Sequence, residues 1–180
     1  MDQSLSRPVC RCLAIALGLV SLFPGRAAGQ SVEYQVKAAY LLNFTRFIDW
    51  PPEAFATPDA PLSICILGDD PFGSTLDQIA GGEVVNGRKI TVQRVKVAPM
   101  PKSCGVLFVS RQAKEIKIPP GLGPGVLTVG EGEDFIRAGG MIAFVIDDRR
   151  VRFDINQTVA ENARFRLSSK LLSVARVVGK

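Results

Sequence analysis

Apolar residues between Val32 and Pro51 (VEYQVKAAYLLNFTRFIDWP) cover nearly the whole circumference of the helix that their spacing predicts. Val36, Tyr40, Asn43 and Phe47 make one stripe, while Tyr34, Leu41 and Ile48 recur at seven-residue intervals on a second, nearly opposite one. One stripe suffices to pack a helix on a sheet, so two imply a further surface. The expectation is that Val36, Tyr40 and Phe47 face the sheet, and that Tyr34, Leu41 and Ile48 face a second subunit or a binding partner. The run is shorter than a membrane span, and Lys37, Arg46 and Asp49 interrupt it, which favours burial on two sides over insertion in a bilayer.

Beyond Pro51-Pro52, which cannot continue a helix, the pattern changes to short apolar runs closed by turn residues. Leu62–Leu67 (LSICIL) and Cys104–Val109 (CGVLFV) are almost continuously apolar, as strands covered on both faces are. Pro71–Ala80 reads as a short helix closed by Gly81-Gly82, and Asn86-Gly87 turns into a strand over Arg88–Val95. Ser110 can cap a short helix through Ile116. A strand over Val126–Val129 then leads into a helix over Glu133–Ala138. Met141–Ile146 and Val151–Ile155 form a hairpin with four loop residues, Asp147 to Arg150. A final helix is predicted over about Thr158–Val178, with Ala160, Ala163, Leu167, Leu171, Val174 and Val178 towards the sheet. Phe165 and Leu172 fall off that stripe beside Arg176: either neighbouring loops cover them, which is the plainer account, or they form a small protein-binding patch rimmed by charge. The alternation defines a single-domain α/β sandwich: a mixed, mostly parallel sheet with an antiparallel edge hairpin, flanked by helices.

Residues 1–29 have the order of a signal peptide: Arg7 and Arg11, an apolar run from Cys12 to Phe23, then the small residues Ala27-Ala28-Gly29. Cys10 and Cys12 precede or open that run, the wrong order for a lipoprotein. The mature α/β domain is then 30–180, exported to the periplasm and not inserted in the membrane. Export removes Arg7, Arg11 and Arg26 against a single Asp2, so the mature chain is less basic than the whole-chain net charge of +5. No basic run with interleaved aromatics supports nucleic-acid binding.

The same cleavage leaves Cys65 and Cys104 in an oxidising compartment. They form either a disulfide, worth about 4 kcal/mol for a loop of about 40 residues, or two buried free thiols. Histidine is absent from the sequence, which excludes Ser-His and Cys-His nucleophiles and the commonest general base. Neither glycine-rich stretch has a phosphate-binding context, because Gly121 to Gly125 precedes a strand and Gly130 to Asp134 carries three carboxylates. No catalytic residue, cofactor or metal is assigned. The remaining constellation is acidic: Asp69, Asp70, Glu131, Glu133 and Asp134 follow strands that point the same way and gather at one rim, where a small ligand can bind. Ordinary turn and helix-start residues are the plainer account of the same five.

Separate motifs in one order then carry a resemblance. KAAYLLNF from Lys37 through Trp50-Pro51, ICILGDDPFG of Ile64–Gly73, LTVGEGEDF of Leu127–Phe135, RFDIN of Arg152–Asn156 and SSKLL of Ser168–Leu172 resemble the YfiR family across the mature chain. The resemblance implies a periplasmic, dimeric α/β protein without enzymatic activity. Such a protein binds the periplasmic part of a membrane-bound diguanylate cyclase of the YfiN type, represses it, and lowers cyclic di-GMP and biofilm formation. It also implies that Cys65 and Cys104 are the bridge between the first and third strands. The second cysteine pair of some members, around the Met141–Asn156 hairpin, is missing, and with it any redox switch built on that pair. A periplasmic small-molecule sensor acting on a kinase or transporter is the alternative.

Overall fold

The computed structural model describes residues 27–96, 102–111 and 118–179, with side chains from residue 32 onward. Most of the expected signal segment, and the short helix expected up to Ile116, lie outside these residues. Helix α1 spans Ala27–Phe47, beginning ahead of the expected cleavage point, and is followed by strand β1, Ile48–Asp49. A 3-10 turn at Pro52–Ala54 leads to β2 (Leu62–Leu67), α2 (Ser74–Ala80), β3 (Val84–Val85) and β4 (Arg88–Val95). Then follow β5 (Cys104–Val109), β6 (Leu127–Glu131), α3 (Glu133–Arg137), β7 (Ile142–Asp147) and β8 (Arg150–Asn156). The chain closes with α4 (Gln157–Asn162), β9 (Arg166–Leu167), α5 (Ser169–Val174) and β10 (Val177–Gly179).

The main sheet has eight strands in the order β10-β8-β7-β6-β5-β2-β4-β3, and β1 pairs with β9 in a separate two-stranded ribbon. Strands β4, β2, β5, β6 and β7 run parallel. Strand β8 is antiparallel to β7, β10 runs with β8, and β3 is antiparallel to β4. This is the mixed, mostly parallel α/β sandwich that the alternation of elements predicts. The chain leaves β2 first towards β4 and then, from the other side, through β5, so the switch in strand order falls between β2 and β5.

Two hairpins are set by residues that adopt positive φ. Asn86 and Gly87 (φ 51° and 79°) join β3 to β4. Asp148 and Arg149 (φ 46° and 61°) join β7 to β8, with Asp147 paired to Arg150. The second turn therefore has two loop residues instead of the expected four, because consecutive left-handed residues match the strand twist and let the ladder run to the tip.

The final long helix does not form. After α4, capped by the Asn156 side chain at 3.1 Å from the Val159 amide, the chain turns at Arg164 (φ 65°). The Arg164 amide bonds the Glu161 carbonyl and the Phe165 amide bonds the Ala160 carbonyl, the paired bonds of a Schellman turn. Ser168 then caps α5 through the Leu171 amide. The break has a packing cause. It swings Phe165, only 2% exposed, onto Trp50 in an edge-to-face contact with centroids 5.6 Å apart.

The core is unequal on the two faces of the sheet. Helices α1, α2, α4 and α5 cover a large apolar cluster in which Phe44, Phe108, Phe144 and Phe153 meet. The opposite face holds Cys65, Cys104, Leu107, Val109, Phe135 and Ala143 under the five-residue α3.

Candidate functional site

Helix α1 buries the stripe expected to face outward. Leu41 is fully buried, Ile48 is 1% exposed, and Tyr34 packs edge-to-face on Phe72. Val36, expected against the sheet, is 40% exposed and shares the outer face with Val32, at 58%, and Ala39. Tyr40, on the rings of Phe144 and Phe153, and Phe47 do pack on the core as expected, so the helix buries both stripes and leaves only Val36 of the first one outside. The polar residue that hid this is Lys37, which is 4% exposed and so belongs to the core side. Its ammonium bonds Glu131 at the end of β6, 2.5 Å away, and also bonds Glu33, while lying over the Tyr34 ring. A buried ammonium held between carboxylates places its helix face inward as firmly as an aliphatic residue does.

The carboxyl ends of the parallel strands do bring Asp69 and Asp70, after β2, to the same rim as Glu131, Glu133 and Asp134, after β6. They do not converge there as a ligand cage. Asp70 accepts from the Phe72 and Gly73 amides and from Arg94, which also grips Asp77 and the Gly73 carbonyl. The Arg94 hydrogen bond, ahead of every other cause, holds the Asp77 carboxyl below the usual carboxylate range. Glu131 is taken by Lys37, Asp134 by Arg137, and Glu133 by Arg176. Among the described residues no three His, Cys, Asp or Glu side chains form a group able to hold a metal ion. Burial first, and then the Glu131 and Glu33 carboxylates, push the Tyr34 phenol well above its ordinary range.

The glycines of Gly130 to Gly132 have local duties. A side chain on Gly130 or on Gly140 would collide with the buried Phe135 ring that lies between them, and Gly132 turns at φ 79° before α3. The stretch is therefore a socket for one aromatic ring, with no geometry for a phosphate.

The patch expected around Phe165, Leu172 and Arg176 is dispersed. Phe165 is core, Leu172 is half-buried against it, and Arg176 is clamped on Asp154 at 2.8 and 2.5 Å and on Glu133 at 2.7 Å. Cys65 and Cys104 are joined in a disulfide, with Cα atoms 5.9 Å apart, linking β2 to β5 on the thin face of the sheet. Beside them Ser63, fully buried, shares hydrogen bonds with Thr91, Gln93 and Ser103 at 2.8–3.0 Å.

A groove that sequence reasoning missed lies at the opposite end of the sheet. Its volume is about 620 Å³, and its lining runs from Asp49 to Glu53 on one wall and includes Glu161, Arg164, Phe165 and Arg166 on the other. Trp50 anchors it: the indole nitrogen donates to the Gly105 carbonyl at 3.2 Å and the ring meets Phe165. Arg164 occupies the left-handed position that closes α4, where glycine is the relaxed residue and a side chain costs about 1 kcal/mol. Its side chain is 74% exposed and paired with Glu53, and an ion pair that exposed returns less than about 1 kcal/mol. The only sequence signal for the groove was Trp50-Pro51-Pro52, read there as the mere end of a helix.

These features define a class: an α/β domain in which four of the five rim carboxylates are taken by internal partners, whose strands β2 and β5 are tied by a disulfide, and whose outward features suit binding. The sequence matches the YfiR/HmsC-like family over residues 34–176, and the chain belongs to that family. The family is one of periplasmic, non-catalytic regulators. No curated protein matches the chain. No described helix is long and apolar enough to cross a membrane.

Proposed function

We propose that the protein is exported, loses residues 1–29, and represses a membrane-bound diguanylate cyclase of the YfiN type by binding its periplasmic part. Cyclic di-GMP and biofilm formation then fall. Family membership across residues 34–176 carries this reading. A protein without catalytic groups regulates by binding one state of its partner more tightly than another. The exposed strip Val32, Val36 and Ala39 is the surface we assign to the cyclase, in place of the buried Leu41 and Ile48. The regulator acts as a homodimer.

The test is co-expression with the membrane cyclase encoded nearest to it, with cyclic di-GMP measured in cells. The wild type is expected to lower it. Val36→Glu is expected to lose that effect with an unchanged melting temperature, since the residue lies outside the core. Equal cyclic di-GMP with and without the wild-type regulator would reject repression.

A further inference from the structure

Cleavage after Gly29, as proposed above, gives the mature chain a particular first residue. Small residues then stand at the last and third-last positions of the signal, Gly29 and Ala27, whereas a cut one residue earlier would put Arg26 at the third-last. The residue left at the new terminus is Gln30. An N-terminal glutamine carries its own electrophile, because its α-amino nitrogen can close a five-membered ring on its side-chain amide carbon.

The fold favours that closure. Helix α1 runs from Ala27 to Phe47, so in the mature chain Gln30 heads the helix. The first four N–H groups of a helix have no partner within it, so a ring at the leading nitrogen removes no helical hydrogen bond. The partial positive charge at a helix start also disfavours an ammonium there and favours the neutral amine that attacks. The carboxylate of this turn is committed elsewhere: Glu33 bonds Lys37, which is buried and held from its other side by Glu131. The exposed apolar strip of α1 begins two residues on, at Val32, and continues at Val36.

We propose that Gln30 of the exported protein is converted to pyroglutamate. The α-amino nitrogen forms a bond to the side-chain amide carbon, the bond from that carbon to the amide nitrogen breaks, and this nitrogen leaves as ammonia with a proton taken from the amine. The step consumes neither an oxidant nor a second substrate. Its product has no terminal charge, so the strip assigned to the cyclase starts at a neutral lactam instead of at an ammonium. The modification rests on the cleavage proposed above and is independent of cyclase repression.

The experiment is intact-mass measurement and stepwise N-terminal degradation of the protein extracted directly from the periplasm, for the wild type and Gln30→Ala. The wild type is expected to weigh one ammonia less than disulfide-bonded residues 30–180, to resist stepwise degradation, and to yield Ser31 as its first residue after treatment with pyroglutamyl peptidase. Gln30→Ala, which keeps the amine and has no amide to attack, should show its full mass and read directly from residue 30. A wild-type chain that begins at Gln30 with amine and amide intact would overturn the modification while upholding the cleavage. A chain that begins at another residue would overturn both, and its mass identifies that residue. A blocked Gln30 in a protein that leaves cyclic di-GMP unchanged would uphold the modification and count only against the repressor reading.

Discussion

The two faces of the sheet are closed by different means. On the α1 face, four helices bury a continuous aromatic and aliphatic cluster, and Phe44 alone touches the rings of Tyr40, Phe144 and Phe153. On the α3 face, the helix among the described residues is the five-residue α3, which inserts Phe135, and near it the closure is a disulfide and a hydroxyl-amide network. Apolar burial stabilises in proportion to area, and among the described residues the six-residue cluster of the α3 face buries less than the cluster under α1. A covalent link acts instead by limiting the unfolded chain, and it needs no covering layer. The comparison teaches that a regulator with one thick and one thin face can put its reserve of stability in a bond suited to an oxidising compartment.

The largest expected effect follows from that. The bridge closes a sequence separation of 39 residues, so Cys65→Ser with Cys104→Ser is expected to cost about 4 kcal/mol, measured by chemical denaturation. Hydrogen exchange should locate the loss in β2, β5 and the thin face. A cost below about 1 kcal/mol would erase the contrast between the faces.

Next comes the clamp that fixes α1 on the thick face. Lys37→Met leaves Glu131 without its cation and is expected to cost about 3 kcal/mol. Adding Glu131→Gln should recover much of that, since removing both charges avoids an uncompensated carboxylate. A single variant as stable as the wild type would mean that Lys37 packs through its aliphatic stem alone, since methionine keeps that stem.

Gly130→Ala probes the thin face without touching the bridge. The added methyl meets the buried Phe135 ring, which Gly140 blocks from the other side, and overpacking of this kind costs about 2 kcal/mol. Phe135→Leu in the same chain should relieve part of it, read by thermal melting. Additive losses would show that the ring moves freely and that the socket is loose.

These particulars also separate what the sequence made legible from what it did not. Strands β2 and β5 were plain because LSICIL and CGVLFV are apolar at nearly every position, which only two-sided burial explains. Compartment and count left Cys65 and Cys104 as a disulfide or two free thiols, and the family resemblance implied the bridge that the structure has. In helix α1 Tyr40 and Phe47 were placed correctly, but Tyr34, Leu41 and Ile48 were turned outward and Val36 inward because both stripes are apolar, and the residue that marks the second stripe as core is a lysine whose partner lies 94 positions away. Such a pairing has no local signature. The false final helix had a local signature that was passed over: Asn156 and Ser168 are both capping residues, and the off-stripe Phe165 is the side chain that the break between them buries. The acidic rim was placed at the right end of the sheet, but Lys37, Arg94, Arg137 and Arg176 come to it and pair with Glu131, Asp70, Asp134 and Glu133.

The smallest expected effect is a titration on the thick face. The protein has two tyrosines, Tyr34 and Tyr40. Tyr34 is held protonated first by burial and then by the Glu131 and Glu33 carboxylates. Because its folded pKa is raised above the unfolded value of about 10, the associated stability is complete below that pH and declines as pH rises through and beyond it. Phenolate absorbance, taken as the difference between the wild type and Tyr34→Phe, should therefore show Tyr34 ionising late, together with a downward slope of melting temperature in alkali. Tyr34→Phe should flatten that slope while leaving the neutral-pH melting temperature nearly unchanged, since the ring contact with Phe72 survives. If Tyr34 ionises at its ordinary pH while the fold is intact, its phenol is neither buried nor set against Glu131 in solution, and the clamp on α1 reduces to Lys37 alone.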